Sequence, residues 1–192
     1  MEPPAGAEFG DEELVIRAQR GERQAFEMLV EKYKRKAYRI AFAFIRDREE
    51  ARDISQEAFL RAYTHLKTFD LRSTFYTWFY RILVNLCVDR KRRQAKWIMA
   101  SLDDAPGDFR SSEIADESSR PDHEAAARQM SAQIGKVLAS LPAKQRTAFL
   151  LRNNEGLSIS EIAKIMRTAE GTVKVHLHRA VVALRQKLAG AG

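Results

Sequence analysis

Two stretches of helical apolar periodicity are separated by a segment that cannot build a core, and this interruption constrains the fold most. Ser101–Arg120 holds Ser, Asp, Gly and Pro106 and few large apolar residues. Such a composition cannot repay the entropy of ordering the chain. The charge changes in the same place. Residues 98–124 carry 8 acidic and 2 basic side chains, net −6, between blocks of +5 (1–97) and +8 (125–192). The chain therefore reads as two compact basic domains, 11–97 and 125–192, joined by a flexible acidic linker over 98–124 and preceded by a disordered N-terminus, 1–10. A length of 192 residues suits two small domains.

Basic domains favour polyanionic partners, with nucleic acid first among them. Other classes fall away. No apolar stretch approaches the roughly 18–20 residues that span a bilayer, so no membrane insertion is expected. Met1–Gly10 lacks the basic-then-apolar order of a secretory leader. The single cysteine, Cys87, excludes an internal disulfide framework and a Cys-based zinc cluster, and it fits a reduced, cytoplasmic setting. Cys87 stands between Leu86 and Val88 and reads as a buried, inert thiol. With 9 Gly, 5 Pro and few β-branched runs, the fold class expected is all-α.

In the first domain Phe26, Leu29, Val30, Tyr33, Ala37, Ile40, Ala41 and Phe44 recur at steps of three and four, one face of a long helix. The acid-rich turn at Asp47 interrupts it. Ile54, Ala58, Ala62 and Leu66 mark a second helix, and Phe79, Ile82, Leu83 and Leu86 a third, with Trp78 at the edge of the buried face. Asp11 is placed as the cap of a short leading helix through Leu14, Val15 and Ala18.

Two features exceed what a core needs. Phe69–Tyr80 holds six aromatics in twelve residues, beside the polar loop Asp70, Leu71, Arg72, Ser73 and Thr74. Each ring reads as core packing or as a platform on which an unpaired base stacks, for roughly 1–3 kcal/mol. The following helix supplies cations, Arg81 and Arg90–Arg93, and Trp78, Arg81 and Asn85 share one stripe of it. An amide at Asn85 suits a base edge. The second feature is Asp53, Gln56 and Glu57, which lie on one helical face. That face is either solvated or a protein-docking surface. Catalysis is a distant third reading, because no His or further carboxylate converges on it.

The second domain reads as a helix-turn-helix. Ile134, Val137, Leu138 and Leu141 form an amphipathic helix that ends at Pro142. The next helix runs to a turn at Asn153–Gly156. Ser158 and Glu161 form a capping-box pair that opens a short helix, and Thr168 is a candidate cap for the last. That last helix buries Val173, Leu177, Ala180, Leu184 and Leu188 and presents Thr172, Lys174, His176, His178, Arg179 and Arg185. A tight helix pair with a basic second helix is a duplex-reading unit. His176 and His178 are two residues apart and point to different sides, so they form no metal pair. No phosphate loop, catalytic cluster or cofactor motif is found.

Several of these segments resemble one known family. Asp53–Tyr63, Phe75–Arg90, Leu141-Pro142, Glu161-Ile162-Ala163 and Gly171–Ala180 are similar, in order and spacing, to a group 4, extracytoplasmic-function (ECF) RNA polymerase sigma factor of the sigma-70 family. The resemblance implies a non-enzymatic transcription initiation factor without cofactor or metal. Its region 2 would dock on the β′ clamp helices of core RNA polymerase through Asp53, Gln56 and Glu57. A loop matching Phe69–Thr74 would capture a flipped base of the −10 element, with Asn85 matching an asparagine of that site. Region 4 would dock on the β flap and read the −35 duplex through positions matching Lys174, Val175, His178 and Arg179. The acidic linker would thread toward the active-site cleft and RNA exit channel. An anti-sigma factor is a further partner the resemblance admits. Two positions depart from the family pattern. The loop commonly begins Phe-Arg-Gly, where this chain has Phe69-Asp70-Leu71, which bears on the −10 base preferred. Val175 replaces a frequent small hydroxyl residue, which shifts −35 reading toward thymine-methyl contact. The alternative is a helix-turn-helix regulator that acts on duplex DNA without polymerase. Such a protein needs neither the aromatic loop nor the Gln56-Glu57 face.

Overall fold

The computed structural model describes residues 9–102 and 133–189. Helices are α1 (Asp11–Gln19), α2 (Arg23–Ile45), α3 (Arg48–His65), α4 (Phe75–Leu102), α5 (133–140), α6 (Ala143–Glu155), α7 (Ile159–Met166) and α8 (Glu170–Ala189), with a 3₁₀ turn at Leu66–Thr68. There is no strand among the described residues, as the all-α expectation requires. Of the acidic segment, 98–102 is the last turn of α4, so the helix runs further than the sequence reading placed it; 103–124 lies outside the described residues, as does 1–8.

The first domain is a bundle of α1–α4. The stripe read from the sequence is the buried face of α2: Phe26, Leu29, Tyr33, Ala37, Ile40, Ala41 and Phe44. That helix stops at Arg46 in the left-handed region, φ 64°. Asp47 then caps α3, its carboxylate accepting the Glu50 N–H at 2.8 Å. Ile54, Ala58, Phe59 and Ala62 of α3 meet Phe75, Phe79 and Leu83 of α4 in the core, and the rings of Phe59 and Phe79 stack 4.4 Å apart. Each Ile, Leu and Phe side chain among them contributes about 1.5–3 kcal/mol by leaving water.

Asp11 does not cap α1, because Gly10 occupies the capping position. Its carboxylate instead accepts from Lys32 at 2.6 Å and from the Tyr33 hydroxyl, tying α1 to α2. Burial, followed by this bond, pushes the Tyr33 phenol well above its ordinary range.

The second domain packs α5–α8 around Leu138, Leu141, Leu151, Ile162, Val173, Ala180 and Leu184. Gly156 ends α6 in the left-handed conformation, φ 66°, which costs glycine nothing. The capping box is present: Ser158 Oγ accepts the Glu161 N–H, and Glu161 accepts the Ser158 N–H at 2.8 Å. The candidate cap Thr168 stands one residue too early, since α8 begins at Glu170 and Ala169 precedes it. The two domains are in contact, α6 lying on α2 and α7 on α4.

Candidate nucleic-acid and protein-docking surfaces

The α3 face is built by burial of its opposite side. Ile54, Ser55, Ala58 and Phe59 point inward, and the Ser55 hydroxyl is satisfied by the Ala51 carbonyl at 2.7 Å. Asp53 and Gln56 are exposed, while Glu57 is half-buried and accepts from Arg61 Nε at 2.7 Å. The same surface continues into two residues the sequence reading missed. Leu60 is 62% exposed and Tyr63 is 50% exposed, one and two turns beyond Gln56. Tyr63 leans on Phe26 with ring centroids 5.0 Å apart. The signal was available: Leu60 falls outside the Ile54–Ala58–Ala62 period, so a large apolar side chain is left without a core. A carboxylate–amide face with an apolar end suits a protein partner better than bare solvent.

The aromatic loop is anchored at both ends. The Gln19 amide donates to the carbonyls of Leu66 and Phe69 at 2.9 and 2.8 Å. Thr74 Oγ1 accepts the Thr77 N–H at 3.2 Å at the start of α4. Between the anchors, Asp70 folds the loop on itself. Its carboxylate takes the Arg72 N–H at 3.1 Å and the Arg72 guanidinium at 2.8 Å. Leu71 stands at φ 60°, a left-handed conformation that costs a residue with a Cβ roughly 1–2 kcal/mol. Ser73 is half-buried and Thr74 exposed.

Burial divides the six aromatics. Phe75, Phe79 and Tyr80 are core. Phe69 is only 5% exposed, stacked on Trp78 with centroids 4.7 Å apart, so it props Trp78 and offers no face of its own. Tyr76 packs edge-on against Tyr80 at 4.2 Å. Trp78 remains half-exposed, with Asn85 exposed two turns along α4. Arg81, between them, is half-buried and donates through Nη2 to the Lys164 carbonyl of α7 at 2.9 Å. Burial and then the Arg167 charge lower its affinity for the proton. Trp78, Arg81 and Asn85 thus share one stripe, with Arg81 turned toward the second domain.

On α8, Val173, Ala180 and Leu184 are buried, while Thr172, Lys174, Val175, His178 and Arg179 are all exposed on the opposite side. His176 is half-buried, and burial, then Lys144 and Arg179, hold its pKa below the ordinary histidine value. Lys174 and Arg179 give the exposed surface positive charge. It has the shape and charge of a helix that enters a major groove.

Family models match both halves of the chain: Sigma-70 region 2 over residues 29–97 and Sigma-70 region 4 over residues 131–184. The ECF RNA polymerase sigma factor SigW of Bacillus subtilis is 34% identical over 176 residues, 91% of this chain and 94% of the relative. This chain is an ECF sigma factor of the sigma-70 family. It is also 36% identical to the RNA polymerase sigma-H factor of Pseudomonas aeruginosa over 184 residues, 93% of each chain. The ECF sigma-E factor of Escherichia coli is 34% identical over 180 residues, 93% of this chain and 94% of that one. Solved structures share the fold. CnrH, in complex with the cytosolic domain of CnrY, superposes with a TM-score of 0.72 over 95% of this chain and 99% of that one, at 24% identity. RpoE of Bartonella quintana, in complex with the anti-sigma factor NepR, gives 0.67 over 85% of this chain and 96% of that one, at 22% identity. As an alternative sigma factor the protein directs transcription initiation, and the reading as a polymerase-independent regulator is not favoured. No helix among the described residues is long and apolar enough to cross a membrane.

Proposed function

We propose that this sigma factor binds core RNA polymerase through the α3 face and gives it promoter specificity through two DNA-facing surfaces. Asp53, Gln56 and Glu57 meet the clamp helices, with Leu60 supplying apolar area at the end of the face. Lys174, Val175, His178 and Arg179 read the −35 duplex, and Thr172 holds a phosphate at its edge. Trp78, Arg81, Asn85 and the loop from Phe69 to Thr74 hold the opened −10 strand. Strand opening is then driven by binding, with no catalytic step in this chain. Unstacking a base costs a few kcal/mol, which the pocket contacts offset. The protein works in the cytoplasm, where promoters and polymerase are. An anti-sigma factor is a further partner, supported by the complex with the anti-sigma factor NepR in which the Bartonella RpoE neighbour was solved.

The observation that carries this reading is the stripe of α4 where a half-buried Trp78 and an exposed Asn85 stand beside a loop pinned at both ends. A duplex reader has no use for it. Asn85→Ala is expected to leave −35 duplex binding unchanged and to reduce permanganate-reactive open complex with core polymerase. A template pre-melted at −10 should rescue the defect. Opening of cognate duplex at the wild-type level would remove Asn85 from the pocket.

A further inference from the structure

The tip of the aromatic loop is held in a conformation that its residues do not favour. Leu71 stands at φ 60°, where a residue with a Cβ is disfavoured and glycine is not. Three contacts keep it there. Asp70 Oδ1 accepts the Arg72 N–H at 3.1 Å, a bond that spans Leu71 and closes a turn around it. Asp70 Oδ2 lies 2.8 Å from Arg72 Nε. The Leu71 side chain is half-buried and packs against the core. Both members of the ion pair stay in solvent, Asp70 55% exposed and Arg72 87%. An exposed ion pair adds little to stability, and the ends of the loop are already fixed by Gln19 and Thr74. What Asp70 adds is the shape of the tip and the place of a guanidinium. The two carboxylate oxygens divide this work: Oδ1 fixes the backbone, and Oδ2 keeps the one cation between Phe69 and Thr74 paired.

We propose that Asp70 is a positioning residue of the strand site: one carboxylate oxygen holds the tip of the loop in its left-handed turn, and the other keeps Arg72 from seeking phosphate. The proposal rests on the assignment of this loop to the opened −10 strand. A single strand carries charge at every phosphate, and phosphate contacts hold no sequence information. A loose loop with a free guanidinium would grip any strand by charge. A loop of fixed shape with its cation paired leaves the grip to the bases, through stacking on Trp78 and hydrogen bonding at Asn85. Asp70 itself touches no base; it acts through Leu71 and Arg72. The strain at Leu71 then has a use, because a turn formed in advance does not have to be ordered when the strand arrives.

The test separates the two oxygens. The full chain with core polymerase selects a strand from a randomised single-stranded DNA pool, and that strand and a scrambled form of it are titrated at low and high salt. Asp70→Ala removes both contacts. At high salt, where exposed charge is screened, it should bind the selected strand about tenfold more weakly, the cost of ordering about one residue of backbone on binding. Asp70→Ala with Leu71→Gly should recover most of that loss, because glycine takes the left-handed turn unaided. A bundle damaged by the first substitution is not repaired by the second, so the double variant tells positioning from misfolding. Asp70→Asn keeps an oxygen that accepts the Arg72 N–H and drops the charge. It should match wild type at high salt. At low salt it should bind selected and scrambled strands more tightly alike, with a salt slope steeper by about 0.7 for the one cation released. Failure of Leu71→Gly to rescue overturns the role of Oδ1, and an unchanged slope in Asp70→Asn overturns that of Oδ2. Wild-type behaviour of every Asp70 variant, while Asn85→Ala loses the selected strand, overturns the positioning alone. If Asn85→Ala also binds as wild type does, or wild type selects no sequence, the assignment of the loop to the strand falls, and the positioning falls with it.

Discussion

The two DNA-facing surfaces are built by opposite means. The α8 surface is a plain consequence of helical period: every third or fourth residue is buried, and Lys174, Val175, His178 and Arg179 are left in solvent. The α4 surface is assembled from distant parts. It needs Gln19 of α1 to pin the loop, Phe69 to prop Trp78 and a strained backbone at Leu71, and one of its cations is engaged by the other domain. A rigid duplex can be read by a simple exposed helix. An opened strand has no fixed shape, so its site must bring the shape itself, and that requires long-range support.

The sharpest way to break this comparison is to remove the support. Phe79→Ala deletes a ring at the centre of α2–α4, which is fully buried and stacked on Phe59 and Phe75. A loss of about 3–5 kcal/mol is expected, read as a lower first transition in thermal unfolding. Strand binding should vanish while −35 duplex binding through α8 survives; joint loss of both would show that the surfaces are not separately built.

The next largest effect concerns α8. Arg179→Ala is expected to cost about 1–3 kcal/mol at one −35 base pair if its contact is to a base edge. Promoter-library selection should then show relaxed preference at that position alone. A uniform loss across sequences with a shallower salt dependence would move Arg179 to the phosphates. A smaller change is expected from Ser158→Ala, which removes the capping box of α7, the helix that α8 leans on. About 1 kcal/mol of second-domain stability should go, with no effect on strand capture by α4.

The smallest effect is on pH. Glu155 faces Arg39 and Lys36 of α2 and Tyr76 and Tyr80 of α4. Burial raises its carboxyl above the ordinary value, and the two cations only partly pull it back. A carboxyl pKa raised by folding means that folding takes up a proton there. Stability is fully present below the unfolded-state pKa and is lost as pH rises through the folded-state value. The melting temperature should fall slightly over that rise, and Glu155→Gln should flatten the change. A wild-type melting temperature that rises over the same window would reverse the assignment.

Much of this molecule is written in local order. The buried faces of α2 and α3, the interruption at Asp47, the capping box and the exposed side of α8 follow from steps of three and four and from cap chemistry, which act within one turn of helix. What could not be read is non-local. Asp11 looked like a cap because only α2, many residues later, supplies Lys32 and Tyr33. For Phe69 core packing and a stacking platform stayed equally open, because its partner Trp78 lies across a loop whose path depends on Leu71. Nothing in the local order around Arg146 and Glu155 marks their side chains as buried, yet one lies over Phe44 and the other reaches Arg39, both of the first domain. That there are two helical domains was legible in charge and composition, but the contact between them was not, since no periodicity records it.

Cys87 gives the contact between the domains a built-in clock. Its thiol is fully buried, and burial pushes its pKa up to about 12, with Arg146 of the second domain pulling the other way. At neutral pH almost none of it is thiolate, the form that reacts. Oxidants and alkylating agents therefore meet an unreactive group as long as the bundle is intact. The rate at which the thiol is labelled measures how often the structure around α4 opens, and it does so in the native protein, with nothing added to the chain.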